Sequence, residues 1–154
     1  MRFLKLNPRF YLGFFLKHLM KYENIISKSL QALENAYAPY SNFKVGAALL
    51  TAAGKIYTGC NIESSSFGLS ICAERVALFK AVSEGETEFQ AIAIASSAQN
   101  FCPPCGACRQ VLWDLAQDIK VILVSDSTNY QILQMSDLYS YAFDKNFLKD
   151  EPEK

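Results

Sequence analysis

The chain has 154 residues, with 15 basic and 15 acidic side chains, 51% hydrophobic residues, five cysteines and one histidine. That length suits one compact domain that buries roughly 70% of the surface its unfolded chain exposes, and it needs no disulfide staple. The single histidine, His18, lies in a basic aromatic N-terminal stretch, which excludes Ser-His and Cys-His hydrolases, HExxH metalloproteases and Cys2His2 fingers, so a bound metal must take most of its ligands from thiolates.

Charge divides unevenly along the chain. Residues 1–22 carry five basic side chains and no acid, leaving 10 basic and 15 acidic groups, a net of −5, on residues 23–154. A polynucleotide binder needs a basic stripe to exchange for counterions, and this body has only Arg75 and Arg109 as arginines, so no nucleic-acid partner is expected. The longest apolar stretch near the start, Phe10–Leu16, falls far short of the roughly 18 to 20 residues that span a bilayer, so no membrane partner is expected either. Five cysteines, three of them within seven positions, suit a metal or redox site in a reducing compartment, and the expected location is cytoplasmic. Residues 1–22 read as a basic extension. They lack the cleavage signature of a secretory signal and resemble a mitochondrial presequence in being basic and acid-free, though without serine; a translation start at Met20 is the other reading.

Ile26, Leu30, Leu33 and Tyr37 recur at helical spacing, which predicts a helix over 24–37 that Pro39 stops. Residues 43–50 and 55–62 read as a hairpin, with Gly54 supplying the positive φ of the turn. Residues 73–82 are apolar nearly all round and end before Gly85, which predicts a buried helix with a glycine stop. The runs 91–95 and 121–124 suit strands covered on both faces. Between them, 105–116 reads as a helix with Val111, Leu112 and Leu115 facing inward, and 130–133 as a weaker fifth strand. This order indicates an α/β domain with a mixed sheet and helices on its faces.

Cys105 and Cys108 sit three apart on the last of these helices, so both sulfurs emerge on one face, close enough to bind one zinc. Cys72 opens the preceding helix, where the dipole and unpaired N–H groups favour a thiolate. Three thiolates leave a fourth tetrahedral position open for water, the mark of catalytic zinc. Glu74, two residues on, is placed to take a proton from a water whose pKa zinc lowers toward about 7, as a general acid/base and not a ligand. Zinc with three thiolates carries −1, which weakens the Lewis acid, and Arg75 is adjacent to offset it. Two other readings of the spacing stand beside this one: a closed four-cysteine structural zinc that includes Cys102, and a redox pair. The prolines at 103 and 104, which hold Cys102 on an extended segment, argue against the closed site.

Tyr40-Ser41-Asn42-Phe43-Lys44-Val45-Gly46-Ala47, Asn61-Ile62-Glu63, Cys72-Ala73-Glu74-Arg75 and Pro104-Cys105-Gly106-Ala107-Cys108-Arg109-Gln110 together closely resemble the short, homotetrameric cytidine deaminases, over about residues 23–143. The resemblance implies a three-layer α/β/α domain with a five-stranded mixed sheet, followed by a charged tail over 144–154. It implies hydrolytic deamination of cytidine and deoxycytidine in pyrimidine salvage, one Zn2+ per subunit held by Cys72, Cys105 and Cys108, and Glu74 as proton shuttle. It also implies that Arg75 compensates the thiolate charge, that Asn61 and Glu63 bind the ribose 3′-hydroxyl, that Phe43 lies against the base, and that the Ala73 backbone contacts the pyrimidine. The expected partners are a nucleoside substrate and three further copies of the chain. Two positions depart from the family pattern: Phe67 stands where many members have tyrosine, and 138–143 replaces the usual Leu-Leu-Pro-x-x-Phe, the segment that ends in a base-covering Phe143. Cys60 and Cys102 read as ordinary buried or half-buried thiols.

Overall fold

In the computed structural model, which describes residues 22–148, helix α1 (Glu23–Glu34) precedes a hairpin of β1 (Val45–Thr51) and β2 (Ile56–Cys60). Helix α2 (Ala73–Ser83), β3 (Phe89–Ser96), α3 (Gly106–Ala116), β4 (Lys120–Val124), β5 (Tyr130–Gln134) and the single turn α4 (Met135–Leu138) follow. The strands form one mixed sheet in the order β2-β1-β3-β4-β5, with β3 and β4 parallel and the other neighbours antiparallel.

Pleating splits the sheet's side chains between two cores. Ala91, Ala93 and Ala95 of β3 face Tyr22, Ile25 and Ile26 at α1, while Ile92 and Ile94 face Ala77 and Leu78 of α2 and Leu112 of α3. A strand with helices on both sides must be apolar at every position, which is why residues 91–95 form an unbroken run. The result is the expected three-layer α/β/α arrangement.

The pairing also sets direction. Because β1 runs opposite to both β2 and β3, these two point the same way, and the loops after them deliver the N-termini of α2 and α3 to the same end of the sheet. Ligands of open α/β sheets gather at that end. The hairpin turn forms as expected, with Gly54 at φ 85°, and Gly85 at φ 90° follows the end of α2.

Several expectations change. Helix α1 ends at Glu34, not at residue 37, because the Tyr37 N–H donates to the Asn61 carbonyl at 3.0 Å and the Tyr37 carbonyl accepts from the Glu63 N–H at 2.8 Å. A bridge to a distant loop thus replaces the last helical turn. On α3 the buried face is Cys108, Leu112 and Ala116, whereas Leu115 is exposed, since the core side falls on the i, i+4, i+8 row. Helix α2 is buried on one side only: Phe79 and Val82 face outward despite the apolar sequence. Residues 1–21 lie outside the described residues, and with them nearly all of the expected extension. Of the expected tail, residues 145–148 make a 3-10 turn whose Phe147 stacks on Phe143 at 5.5 Å. Among the described residues no helix is long and apolar enough to cross a membrane.

Gly59 governs how α2 meets the sheet. A Cβ there would lie 2.4 Å from the Ala73 carbonyl oxygen and 2.5 Å from the Ala77 nitrogen, both backbone atoms of α2. Gly59→Ala should therefore destabilise the protein by about 1–3 kcal/mol through overpacking. Gly68→Ala, where a Cβ meets nothing within 4 Å, should change stability by less than about 0.5 kcal/mol. Urea unfolding midpoints compare the two, and equal midpoints would show that α2 and β2 do not approach this closely.

Candidate active site

Two helix N-termini carry the sulfurs. Cys72 and Cys105 occupy the N-cap positions of α2 and α3 in extended backbone conformation, and neither side chain caps its own helix. Cys108 lies one turn into α3 and is fully buried. The three Sγ atoms fall within 4.8 Å of one another, and Cys72 and Cys105 are 3.8 Å apart. Zinc–sulfur bonds of 2.3 Å in a tetrahedron require sulfur–sulfur edges of about 3.8 Å, so the trio fits zinc in both donor type and spacing.

Among the described residues Cys102 does not join this group, which leaves no fourth thiolate to close the site. It sits on the extended stretch before α3, and all five cysteines are free thiols.

Charge is managed at close range. A hydrogen bond from the Cys108 thiol, helped by the Arg75 guanidinium and by Cys105, pulls the Cys72 thiol down to about 5 against the effect of burial. Donating that bond, together with burial and the negative charge of Glu74, pushes the Cys108 thiol up. Metal binding by cysteines requires their thiolates, so a cation held by all three displaces thiol protons. Arg75 donates from Nη2 to Cys72 Sγ at 3.5 Å, the position that the charge argument required. Glu74 is 5% exposed, and burial raises its carboxyl above the ordinary range.

Cys72, Cys105 and Glu74 lie on the wall of a cavity of about 310 Å³ that Phe43, Asn61, Glu63 and Ala73, among others, also line. Every expected substrate residue therefore lines one space. The polar pair Asn61 and Glu63 is already engaged. Asn61 accepts from the Val45 N–H through Oδ1 and donates from Nδ2 to the Phe43 carbonyl, each at 2.8 Å. The Glu63 carboxylate accepts from the Tyr40 and Ser41 N–H groups and from the Ser41 hydroxyl, and these bonds, the hydroxyl's foremost, hold it below the ordinary carboxylate range. One amide proton of Asn61 and one lone-pair site of Glu63 remain for a ligand. A double bridge between Ile62 and Ile71, at 3.0 Å each way, ties this pair to the residue before Cys72.

Ser41, Ser70 and Ile71 also line the cavity and were not singled out as site residues from the sequence, and Cys102 and Pro103, weighed there only for a closed zinc site, line it too. Ser41 had a signal in the Tyr-Ser-Asn-Phe motif, but its contact with Glu63 spans 22 positions. Cys102 is half-buried as expected, and its place on the wall follows from the extended segment that carries it. Phe67 is largely exposed with its ring edge-on to Tyr40 at 5.6 Å, and Phe143 does not line the cavity of its own chain. Cys60 donates to the Asn35 carbonyl at 3.3 Å, away from the site.

A three-cysteine group of which Cys72 and Cys105 reach the cavity wall, with no fourth thiolate and a buried carboxylate beside it, fits the class of zinc hydrolases that keep an open coordination position. The family model described as the cytidine and deoxycytidylate deaminase zinc-binding region matches residues 19–125. A cytidine deaminase of Halalkalibacterium halodurans is 46% identical over 132 residues, covering 85% of this chain and 100% of that protein. One from Sporosarcina psychrophila is 43% identical over 130 residues, covering 84% of this chain and 96% of that protein. The crystal structure of the Burkholderia pseudomallei cytidine deaminase superposes with a TM-score of 0.74 at 45% identity, over 78% of this chain and 97% of that one. The chain belongs to the cytidine and deoxycytidylate deaminase family and is a zinc enzyme.

One zinc per subunit is expected in the wild type. Cys105→Ser should lose most of it, because a hydroxyl is a poor zinc ligand at neutral pH, whereas Cys102→Ser should keep it. Elemental analysis of the purified proteins decides: full retention in Cys72→Ser and Cys105→Ser would remove the site, and loss in Cys102→Ser would restore the four-cysteine reading.

Proposed function

We propose that this protein hydrolyses cytidine and deoxycytidine to uridine and deoxyuridine with release of ammonia, as a step of pyrimidine salvage. The observation that carries this reading is the position of Glu74, buried at the cavity's wall beside the three-sulfur group. Bound zinc supplies a Lewis acid that makes water nucleophilic at neutral pH. Glu74 takes a proton from the water that adds at C4 of the base and passes it to N3, then takes the proton of the new C4 hydroxyl and passes it to the amino group, so that the C4–N bond breaks, ammonia leaves and the C4 carbonyl forms. Its burial keeps the proton from exchanging with bulk solvent during the transfer.

Phe43 lies against the base and the Ala73 backbone meets the pyrimidine edge, while Asn61 and Glu63 use their remaining donor and acceptor on the ribose 3′-hydroxyl. Arg75 offsets the excess thiolate charge. Residues 23–143 carry the reaction. The thiolate site suits the reducing cytoplasm. Apolar residues exposed on the single chain, among them Phe67, Leu69 and Phe79, supply surface for a homotetramer, a state that light scattering measures directly.

The family includes enzymes of nucleosides and of nucleotides, and the lining favours the former. Among the described residues no lysine or arginine lines the cavity, and the Glu63 carboxylate, held below its ordinary range, is on its wall. A cavity of about 310 Å³ also lies at the small end of the roughly 300–1,000 Å³ usual for small-molecule sites. CMP should therefore show kcat/KM at least about 100-fold below cytidine in an ultraviolet assay. A preference for CMP would overturn the nucleoside assignment.

Glu74→Ala removes the proton carrier without removing a metal ligand. Turnover should fall by at least about 100-fold while zinc content and the far-ultraviolet spectrum stay near wild type. Activity comparable to wild type would end this mechanism.

A further inference from the structure

Cys105 is the exposed member of the sulfur trio, and the chain before it, with Phe101 packed on the core and Pro104 buried, has no ladder of backbone hydrogen bonds. Residues 101–105 form no regular secondary structure, and Pro103 and Pro104 have no N–H to donate. One side chain supplies the missing anchor. Arg109, one turn into α3, donates from Nε to the Pro104 carbonyl at 2.8 Å and from Nη1 to the Leu138 carbonyl at 2.9 Å. Its guanidinium thus spans from the residue before the ligand to the C-terminal end of α4.

We propose that Arg109 is a positioning residue: it fixes Cys105 for zinc by bracing the Pro104 carbonyl against the segment at Leu138. Three observations carry this. Among the described residues no carboxylate forms an ion pair with Arg109, so its donors are committed to the two carbonyls. A planar fork places two donors at fixed angles and spans both acceptors at once, which a lysine ammonium on a flexible stem does not reproduce. The segment it braces against is itself docked to α3: Gln110 Nε2 donates to the Phe143 carbonyl at 2.8 Å, and the Tyr139 hydroxyl donates to Gln110 Oε1. The brace therefore rests on a fixed support and not on a free tail.

The inference rests on Cys105 as a zinc ligand, and zinc release tests it separately from activity. Full-length, zinc-loaded wild type, Arg109→Ala, Arg109→Lys and Gln110→Ala are mixed with excess chromogenic chelator and the rate of zinc transfer is followed. Arg109→Ala should release zinc about tenfold faster or more, in the range seen when partners that orient metal ligands are removed. Arg109→Lys should fall between it and wild type, and so should Gln110→Ala, which loosens the support but leaves the Pro104 bond in place. Wild-type release from Arg109→Ala would overturn the brace, as would Gln110→Ala releasing zinc as fast as Arg109→Ala, since general loosening of the tail would then account for both. Should Arg109→Ala not fold, Arg109→Lys decides: release faster than wild type supports the brace and wild-type release overturns it. A wild-type protein that takes up no zinc would overturn the metal site itself, a result distinct from loaded variants that release normally.

Discussion

Three sulfurs within 4.8 Å are the constraint around which this chain is arranged. Two thiolates at about 4 Å repel by about 4 kcal/mol at an effective dielectric of about 20, so the cluster exists only where positive charge converges on it. The fold supplies that charge in three forms: the N-termini of two helices, the Arg75 guanidinium and the metal for which the spacing fits. Bringing two helix N-termini to one point requires that α2 and α3 follow strands running the same way. Inserting β1 antiparallel between β2 and β3 meets that requirement, and Gly59 lets the first turn of α2 lie directly on β2. Sheet order, strand direction and one missing Cβ thus serve the same electrostatic end.

The parts legible in the sequence are those whose cause is local. The apolar runs of β3 and β4 show their burial on both faces because every residue of such a strand meets a core. Gly54 and Gly85 mark a turn and a helix end through their own φ. The pairing of Cys105 with Cys108 follows from helical spacing, and Glu74 beside Cys72 follows from adjacency. What the spacing left open, an open against a closed four-cysteine site, was decided by the path of residues 101–105, which keeps Cys102 out of the sulfur group.

Illegible features have distant causes. The end of α1 is set by bonds from Tyr37 to Asn61 and Glu63, which no window around residue 37 contains. The exposure of Phe79 and Val82 is set by which side of α2 meets the sheet, and an apolar composition all round does not record that. Asn61 and Glu63 are the clearest case. Their pattern marks them as polar residues after a strand, yet most of their hydrogen-bonding capacity is spent on the loop that carries Tyr40, Ser41 and Phe43.

That spending bears on function. A ligand contact made by a free surface carboxylate would cost side-chain ordering at each binding event, whereas Glu63 and Asn61, the proposed ribose pair, are already held by the bonds they make to backbone. The same bonds lower the Glu63 carboxyl, so the wall it occupies is anionic, while the Arg75 guanidinium stands against Cys72 in the sulfur group. Among the described residues no lysine or arginine lines the cavity. An anionic wall with no basic side chain beside it opposes a phosphate, and under the proposed function it leaves a neutral nucleoside to be held by shape and by the few donors and acceptors the scaffold has not already used.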